Sequence, residues 1–193
     1  MFEWVGLETV ATVLGIAYVL CAMRENSLAW FFSFFSSAIY LWICLDVSLY
    51  MYSALYAFFM VMAVYGWYQW QRGGITEKGI KLGTWGIKQH AAAIGLVLVL
   101  SAISGYLLSN TDARSPYIDS FATWGSVVAM FMVARKVLEN WLYWIAINSV
   151  SIFLYIDTEL YQTAGLYALY LVLAVIGYIA WRKTYLEQST ESS

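Results

Sequence analysis

The stretches Arg24-Glu25-Asn26-Ser27-Leu28-Ala29-Trp30 and Arg135-Lys136-Val137-Leu138-Glu139-Asn140-Trp141 begin and end on the same residue types, 111 positions apart. The register holds in both directions. Residues 8–70 align without a gap onto residues 119–181, with fifteen identities that include Asp46/Asp157, Tyr50/Tyr161, Tyr56/Tyr167, Gly66/Gly177 and Trp70/Trp181. A shared hydrophobic bias produces matches among Leu, Val and Ala; it does not place Arg, Asp, Trp and Gly together in one register. The chain reads as an internal duplication, and duplications in strongly apolar chains build a path between two halves.

Composition puts both copies in lipid. The 193 residues are 62% hydrophobic and 11% charged, against about 25% charged in soluble domains. Mean hydropathy is +0.68. The apolar runs are long and continuous, without the period-two alternation of a transmembrane β-barrel, so the expected class is all-α integral membrane. The first run is preceded by Glu3 and no basic residue, unlike the n-region of a cleaved signal, and is expected to stay as a helix. Cys21 and Cys44 lie inside apolar runs and behave as small hydrophobes.

With roughly 20 residues per crossing, the runs predict seven helices, at residues 5–23, 28–45, 49–70, 90–108, 117–134, 140–156 and 161–181. Nine of the ten basic residues then fall on one side: Arg24, Arg72, Lys78, Lys81, Lys88, Arg135, Lys136, Arg182 and Lys183. Only Arg114 falls on the other, with Glu3, Asp46, Asp112, Asp157 and Glu159. By the positive-inside rule the amino terminus is outside and the carboxyl terminus cytoplasmic. Three helices followed directly by their copy would be inverted, so one extra crossing, Ala91 to Leu108, is needed to bring Arg24 and Arg135 to the same side. The expected architecture is 3+1+3 with parallel repeats. Residues 1–70 form a first three-helix bundle, 71–110 a cytoplasmic loop and linker helix, 111–183 a second bundle, and 184–193 a disordered tail. Ser115-Pro116 fits a helix start, with serine as cap and proline in the first turn.

Trp141, Trp144, Asn148 and Ser151 share one stripe of the sixth helix, and their mates Trp30, Ser33, Ser37 and Tyr40 make the same stripe on the second. A mid-membrane amide such as Asn148 needs a partner, either a substrate or another helix. Tyr56, Phe59 and Ala63 on the third helix mirror Tyr167, Tyr170 and Ala174 on the seventh. Two aromatic walls edged with hydroxyls suit a flat, cationic ring, and also suit plain interhelical packing. Glu8 and Asp119, another mate pair, either attract cations or are solvated at the outer surface. Trp4, Trp67, Trp70 and Trp181 lie at span ends, where interface anchoring accounts for them, and His90 lies at the inner interface. The single histidine and scattered acids supply no metal-ligand set or catalytic constellation, so neither an enzyme nor a metal or other cofactor is expected. The last span lacks the mid-helix lysine of a retinal protein, and no nucleic-acid partner is expected.

Glu139-Asn140-Trp141-Leu142-Tyr143-Trp144-Ile145-Ala146-Ile147-Asn148 and Val64-Tyr65-Gly66-Trp67-Tyr68-Gln69-Trp70 resemble the signature stretches of the PnuC-type vitamin transporters, as do Leu7-Glu8 and Asp119-Ser120. The resemblance implies a fold like a full-length SWEET transporter, a bacterial inner-membrane location, homotrimers, and facilitated diffusion of an unphosphorylated vitamin. A cytoplasmic kinase then traps the vitamin by phosphorylation. Nicotinamide riboside carriers tend to have an Asn in the second helix, where Phe34-Phe35-Ser36-Ser37-Ala38 stands here, and many members have Gln at the position of Tyr56. Ser36-Ser37-Ala38-Ile39-Tyr40 is more similar to the branch associated with thiamine. Thiamine is therefore placed first, nicotinamide riboside next and riboflavin third.

The expected substrate site comprises Trp141, Trp144, Asn148, Ser33, Ser37, Tyr40, Tyr56, Phe59, Tyr167 and Tyr170, with Glu8 and Asp119 drawing cations toward it. The competing reading is a seven-helix receptor or scaffold that binds a ligand and moves nothing.

Overall fold

The apolar runs become seven α-helices among the described residues (2–46, 50–74, 79–110, 115–157 and 159–191) of a computed structural model. They are α1 Phe2–Met23, α2 Leu28–Asp46, α3 Tyr50–Arg72, α4 Ile87–Leu108, α5 Pro116–Ala134, α6 Asn140–Asp157 and α7 Tyr161–Glu191. Lys78, Asp112 and Arg114 lie outside the described residues, as do the side chains of Glu3 and Trp4. By length and composition five helices are apolar enough to cross a membrane. The other two, α3 and α6, are rich in Tyr and Trp, whose amphipathic rings lower a helix's hydropathy without making it polar.

α1, α2 and α3 pack in succession, as do α5, α6 and α7, while α4 packs on α5. The two groups meet along two seams, α1 against α7 and α3 against α5. Contacts at these seams recur at the 111-residue spacing. Trp70 Nε1 donates to the Val133 carbonyl at 3.2 Å, and Trp181 Nε1 donates to the Ala22 carbonyl at 3.0 Å. A run of edge-on and tilted rings, Trp30–Trp70–Trp181–Trp141, crosses between the groups with centroid spacings of 5.3, 6.0 and 5.5 Å. Trp70 and Trp181 are therefore buried core rather than the expected interface anchors. The carbonyls of the opposite group satisfy their N–H groups, as burial of an indole requires.

Both α1 and α5 end in the same way. Glu25 and Lys136 adopt left-handed backbone, φ 51° and 49°. Asn26 N bonds to Cys21 O and Val137 N to Met132 O, while Glu25 N bonds to Ala22 O and Lys136 N to Val133 O. This is the Schellman termination, with Glu and Lys where Gly is usual. The two side chains meet, Lys136 Nζ lying 2.9 Å from Glu25 Oε2 and 5.0 Å above the Trp70 ring. Each tryptophan that follows needs a glycine opposite it. A Cβ on Gly66 would come within 2.3 Å of the Trp30 ring, and one on Gly177 within 2.7 Å of Trp141.

Two local expectations are corrected. Ser115 holds the cap position of α5 without a side-chain hydrogen bond, leaving Pro116 as the start signal. Residues 184–191, expected as disordered tail, continue α7: Arg182 to Glu191 contains no Gly or Pro, and Lys183 sits one turn from Glu187 at 4.0 Å.

Candidate functional site

A cavity of about 240 Å³ lies among α1, α3, α5, α6 and α7. The α6 stripe supplies Trp141, Trp144, Asn148 and Ser151, extended by one further turn to Tyr155. Tyr56 and Phe59 approach from α3, Tyr167 and Tyr170 from α7, and each of these two pairs meets edge-on at 6.2 Å. Tyr155 packs against Tyr167 at 5.1 Å. Gly15 on α1 makes room for the Tyr170 hydroxyl, which lies 3.0 Å from where a Cβ would be. At the α1/α5 carboxyl ends the cavity reaches Ala22 and Val133, the residues whose carbonyls hold Trp181 and Trp70.

Besides the tyrosine hydroxyls, the polar lining side chains are Asp119, Thr123, Ser126, Asn148 and Ser151. The buried Asn148 amide has no side-chain hydrogen-bond partner among the described residues, so the cavity that it lines is left to satisfy it. Trp141 Nε1 is buried without a partner as well. Thr123 and Ser126 follow the half-buried Asp119 at helical spacing on α5. Asp119 is the sole ionisable acid or base among the described lining residues apart from the tyrosines; none of them is Lys, Arg or His.

The structure brings together eight of the expected residues: Trp141, Trp144, Asn148, Tyr56, Phe59, Tyr167, Tyr170 and Asp119. The other four, Ser33, Ser37, Tyr40 and Glu8, do not line the cavity. Ser33 and Ser37 are buried with α2 one layer back, and their short side chains do not reach past α1 and α3. Next to them, Ser36 Oγ is tied to the Ala11 carbonyl at 2.8 Å. Tyr40 supports the wall from behind: its ring stacks on Tyr56 at 5.0 Å and 15°, and its hydroxyl lies 2.8 Å from Thr12 Oγ1. Glu8 is exposed. Tyr18, Tyr52, Thr123, Ser126 and Tyr155 also line the cavity, outside the expected set. For the last three a signal existed, since Tyr155 continues the Asn148 stripe and Thr123 and Ser126 that of Asp119. His90, expected as an interfacial residue, places Nδ1 3.0 Å from the Tyr143 hydroxyl and Nε2 4.0 Å from Glu139, outside the cavity.

Comparison with known proteins gives a consistent result. Residues 5–183 match the family model described as nicotinamide mononucleotide transporter. The riboflavin/roseoflavin transporter RibM of Streptomyces davaonensis is 28% identical over 193 residues, covering 90% of this chain and 83% of RibM. The nicotinamide riboside transporter PnuC of Escherichia coli is 26% identical over 201 residues, covering 90% of this chain and 81% of PnuC. A crystal structure of the vitamin B3 transporter PnuC superimposes with a TM-score of 0.72 at 22% identity, covering 92% of this chain and 81% of that one, which shows a shared fold.

Proposed function

The chain belongs to the nicotinamide mononucleotide transporter family, and from that premise we propose that it is a uniporter carrying an unphosphorylated, cationic aromatic vitamin across the bacterial inner membrane by facilitated diffusion. The observation that carries this reading is the character of the cavity: aromatic walls, an unpartnered amide at Asn148, one carboxylate at Asp119 and no basic lining residue among those described. A phosphate group entering it would lose its water without gaining a counter-charge, a heavy cost in a low-dielectric site. A positive ring gains from the faces of Trp and Tyr and from Asp119. Thiamine is placed first on the sequence of α2, nicotinamide riboside next and riboflavin third.

The proposed architecture is 3+1+3, SWEET-like, with α1–α3 and α5–α7 as parallel repeats and α4 as linker. It is supported by hydrogen bonds and ring contacts that recur 111 residues apart. The amino terminus is placed outside and the carboxyl terminus in the cytoplasm, on the distribution of basic residues. Rocking of one unit against the other would expose the cavity alternately, and the layer formed by Trp70, Trp181, Glu25 and Lys136 would close its inner end. A cytoplasmic kinase would trap the vitamin, and a homotrimer is the assembly proposed.

Uptake into proteoliposomes tests the reading. Labelled thiamine should enter to equilibrium without an ion gradient, and an empty lumen at every concentration would favour the receptor alternative. Titration of each vitamin against the intrinsic fluorescence of the ten tryptophans ranks the three substrates.

A further inference from the structure

A second hollow lies on the outside of the α3–α5 seam, separate from the substrate cavity. α3 and α4 each pack on α5 but, among the described residues, not on each other. The crevice left between them measures about 690 Å³. Its walls are Phe58 and Met62 from α3, Ala93 and Leu96 from α4, and Val128 and Phe131 from α5, all apolar. The linker helix contributes the small residues Ala92 and Ala93. α1 and α7, which form the other seam, have no such neighbouring helix among the described residues.

The crevice is polar at one end only. Trp85, Gln89 and Arg135 line that end, where the start of α4 meets the end of α5. Arg135 is exposed, and one of its nitrogens, Nη1, donates to the Tyr65 hydroxyl at 3.2 Å. The nearby carboxylate of Glu139 is already engaged by Trp85 N at 3.2 Å and approached by His90 at 4.0 Å. Arg135 has no carboxylate partner among the described residues, so it presents a free cation beside an indole and an amide, directly above an apolar trough. From Gln89 to Leu96 the trough runs for roughly 10 Å of helix.

We propose that this crevice is a binding site for an anionic phospholipid, whose phosphate lies on Arg135 and whose acyl chain fills the trough between α3 and α4. Basic pockets between membrane helices suit anionic headgroups, and an arginine fork suits a phosphate. A trough open to the bilayer is filled by chains with no cost of dehydration. The lipid lies over a seam between the two three-helix groups, where it is placed to affect their relative movement. The proposal does not depend on which vitamin the central cavity takes.

The test uses the purified full chain, depleted of lipid in mild detergent, titrated with phosphatidylglycerol or with phosphatidylcholine of the same acyl chains, and read by native mass spectrometry. One phosphatidylglycerol should bind per chain, about fivefold more tightly than phosphatidylcholine, the contribution of one basic residue. Arg135→Gln should abolish that preference and leave vitamin binding unchanged. Ala93→Trp should fill the trough and weaken both lipids, with vitamin binding by calorimetry reporting that the variant is folded. Equal affinity of the wild type for the two lipids overturns the proposal, as does an Arg135→Gln variant that keeps the preference. An Ala93→Trp variant that changes the oligomer's mass while binding lipid normally also overturns it, and would assign the crevice to a second copy of the chain.

Discussion

The inner layer of the molecule and its central cavity use the same repeated positions in opposite ways. In the inner layer the mates do one job twice: Trp70 and Trp181 cap carbonyls of the opposite group, and Glu25 and Lys136 both end a helix in left-handed backbone. In the cavity most mates part company. Asp119, Trp144, Asn148 and Tyr155 line it, while Glu8, Ser33, Ser37 and Cys44 do not. A single asymmetric ligand cannot be matched by two identical surfaces, so on the proposed reading of the cavity one group would supply most of the specific contacts and the other support. Tyr56 and Tyr167 are the identical mates that both line the cavity; the rest of its lining comes mostly from positions whose mates lie elsewhere.

The scaffold side of this contrast breaks first at the glycines. Gly66→Leu and Gly177→Leu should each abolish folded protein, because the added branch would occupy the space of a Trp ring. The smaller Gly66→Ala is expected to cost about 1–3 kcal/mol by overpacking, and Gly177→Ala somewhat less, following the 2.3 Å and 2.7 Å approaches to Trp30 and Trp141. Thermal unfolding in detergent gives both values. Equal, negligible losses would mean that the tryptophans move freely and that the ring run is not a fixed element.

The cavity side is tested by mates that differ. Asn148→Ala should weaken vitamin binding about tenfold, the loss of one hydrogen bond of ~1.4 kcal/mol in a dry site, with unfolding temperature nearly unchanged. Ser37→Ala, at the matching place on α2, should leave affinity alone. Calorimetry on the two variants decides the matter, and a similar loss in both would restore the symmetric site that the sequence suggests.

That symmetric site shows where sequence reasoning stops. Helix positions were legible because apolar runs and charged breaks fix depth along the membrane; α2, α5 and α6 begin and end within one residue of expectation. Rotation and distance from the centre were not. Trp70 and Trp181 have the depth of interface anchors, yet they turn inward to carbonyls on another group. The stripes on α2 and α6 are equal in period, but only α6 lies against the cavity. The end of α7 was misplaced because apolarity stops at Trp181, whereas helix propensity continues through Arg182 to Glu191.

A smaller and more even effect is expected at the indole caps. Trp70→Phe and Trp181→Phe each remove one buried hydrogen bond, to Val133 and Ala22, at about 1 kcal/mol. Equivalence of the two caps predicts similar drops in unfolding temperature. A marked inequality would show that the two seams carry different loads, with α4 beside one of them and the Lys136 ammonium over Trp70 as the structural differences between them.

The smallest net effect should come from exchanging both charges of the inner layer together. Glu25→Lys alone sets two cations together, and Lys136→Glu alone sets two anions together; because these side chains keep only 19% and 12% of their exposure, each single change should lower stability by about 3–5 kcal/mol, as for a broken buried pair. The double exchange restores the pair across the same gap and, because both positions share one backbone geometry, should return close to wild-type stability. It also removes the ammonium that now lies 5.0 Å over Trp70 and places a carboxylate there, which the face of the ring disfavours. The double variant is therefore expected to regain most, but not all, of the lost melting temperature, and the shortfall measures the one part of this layer that the two groups do not share.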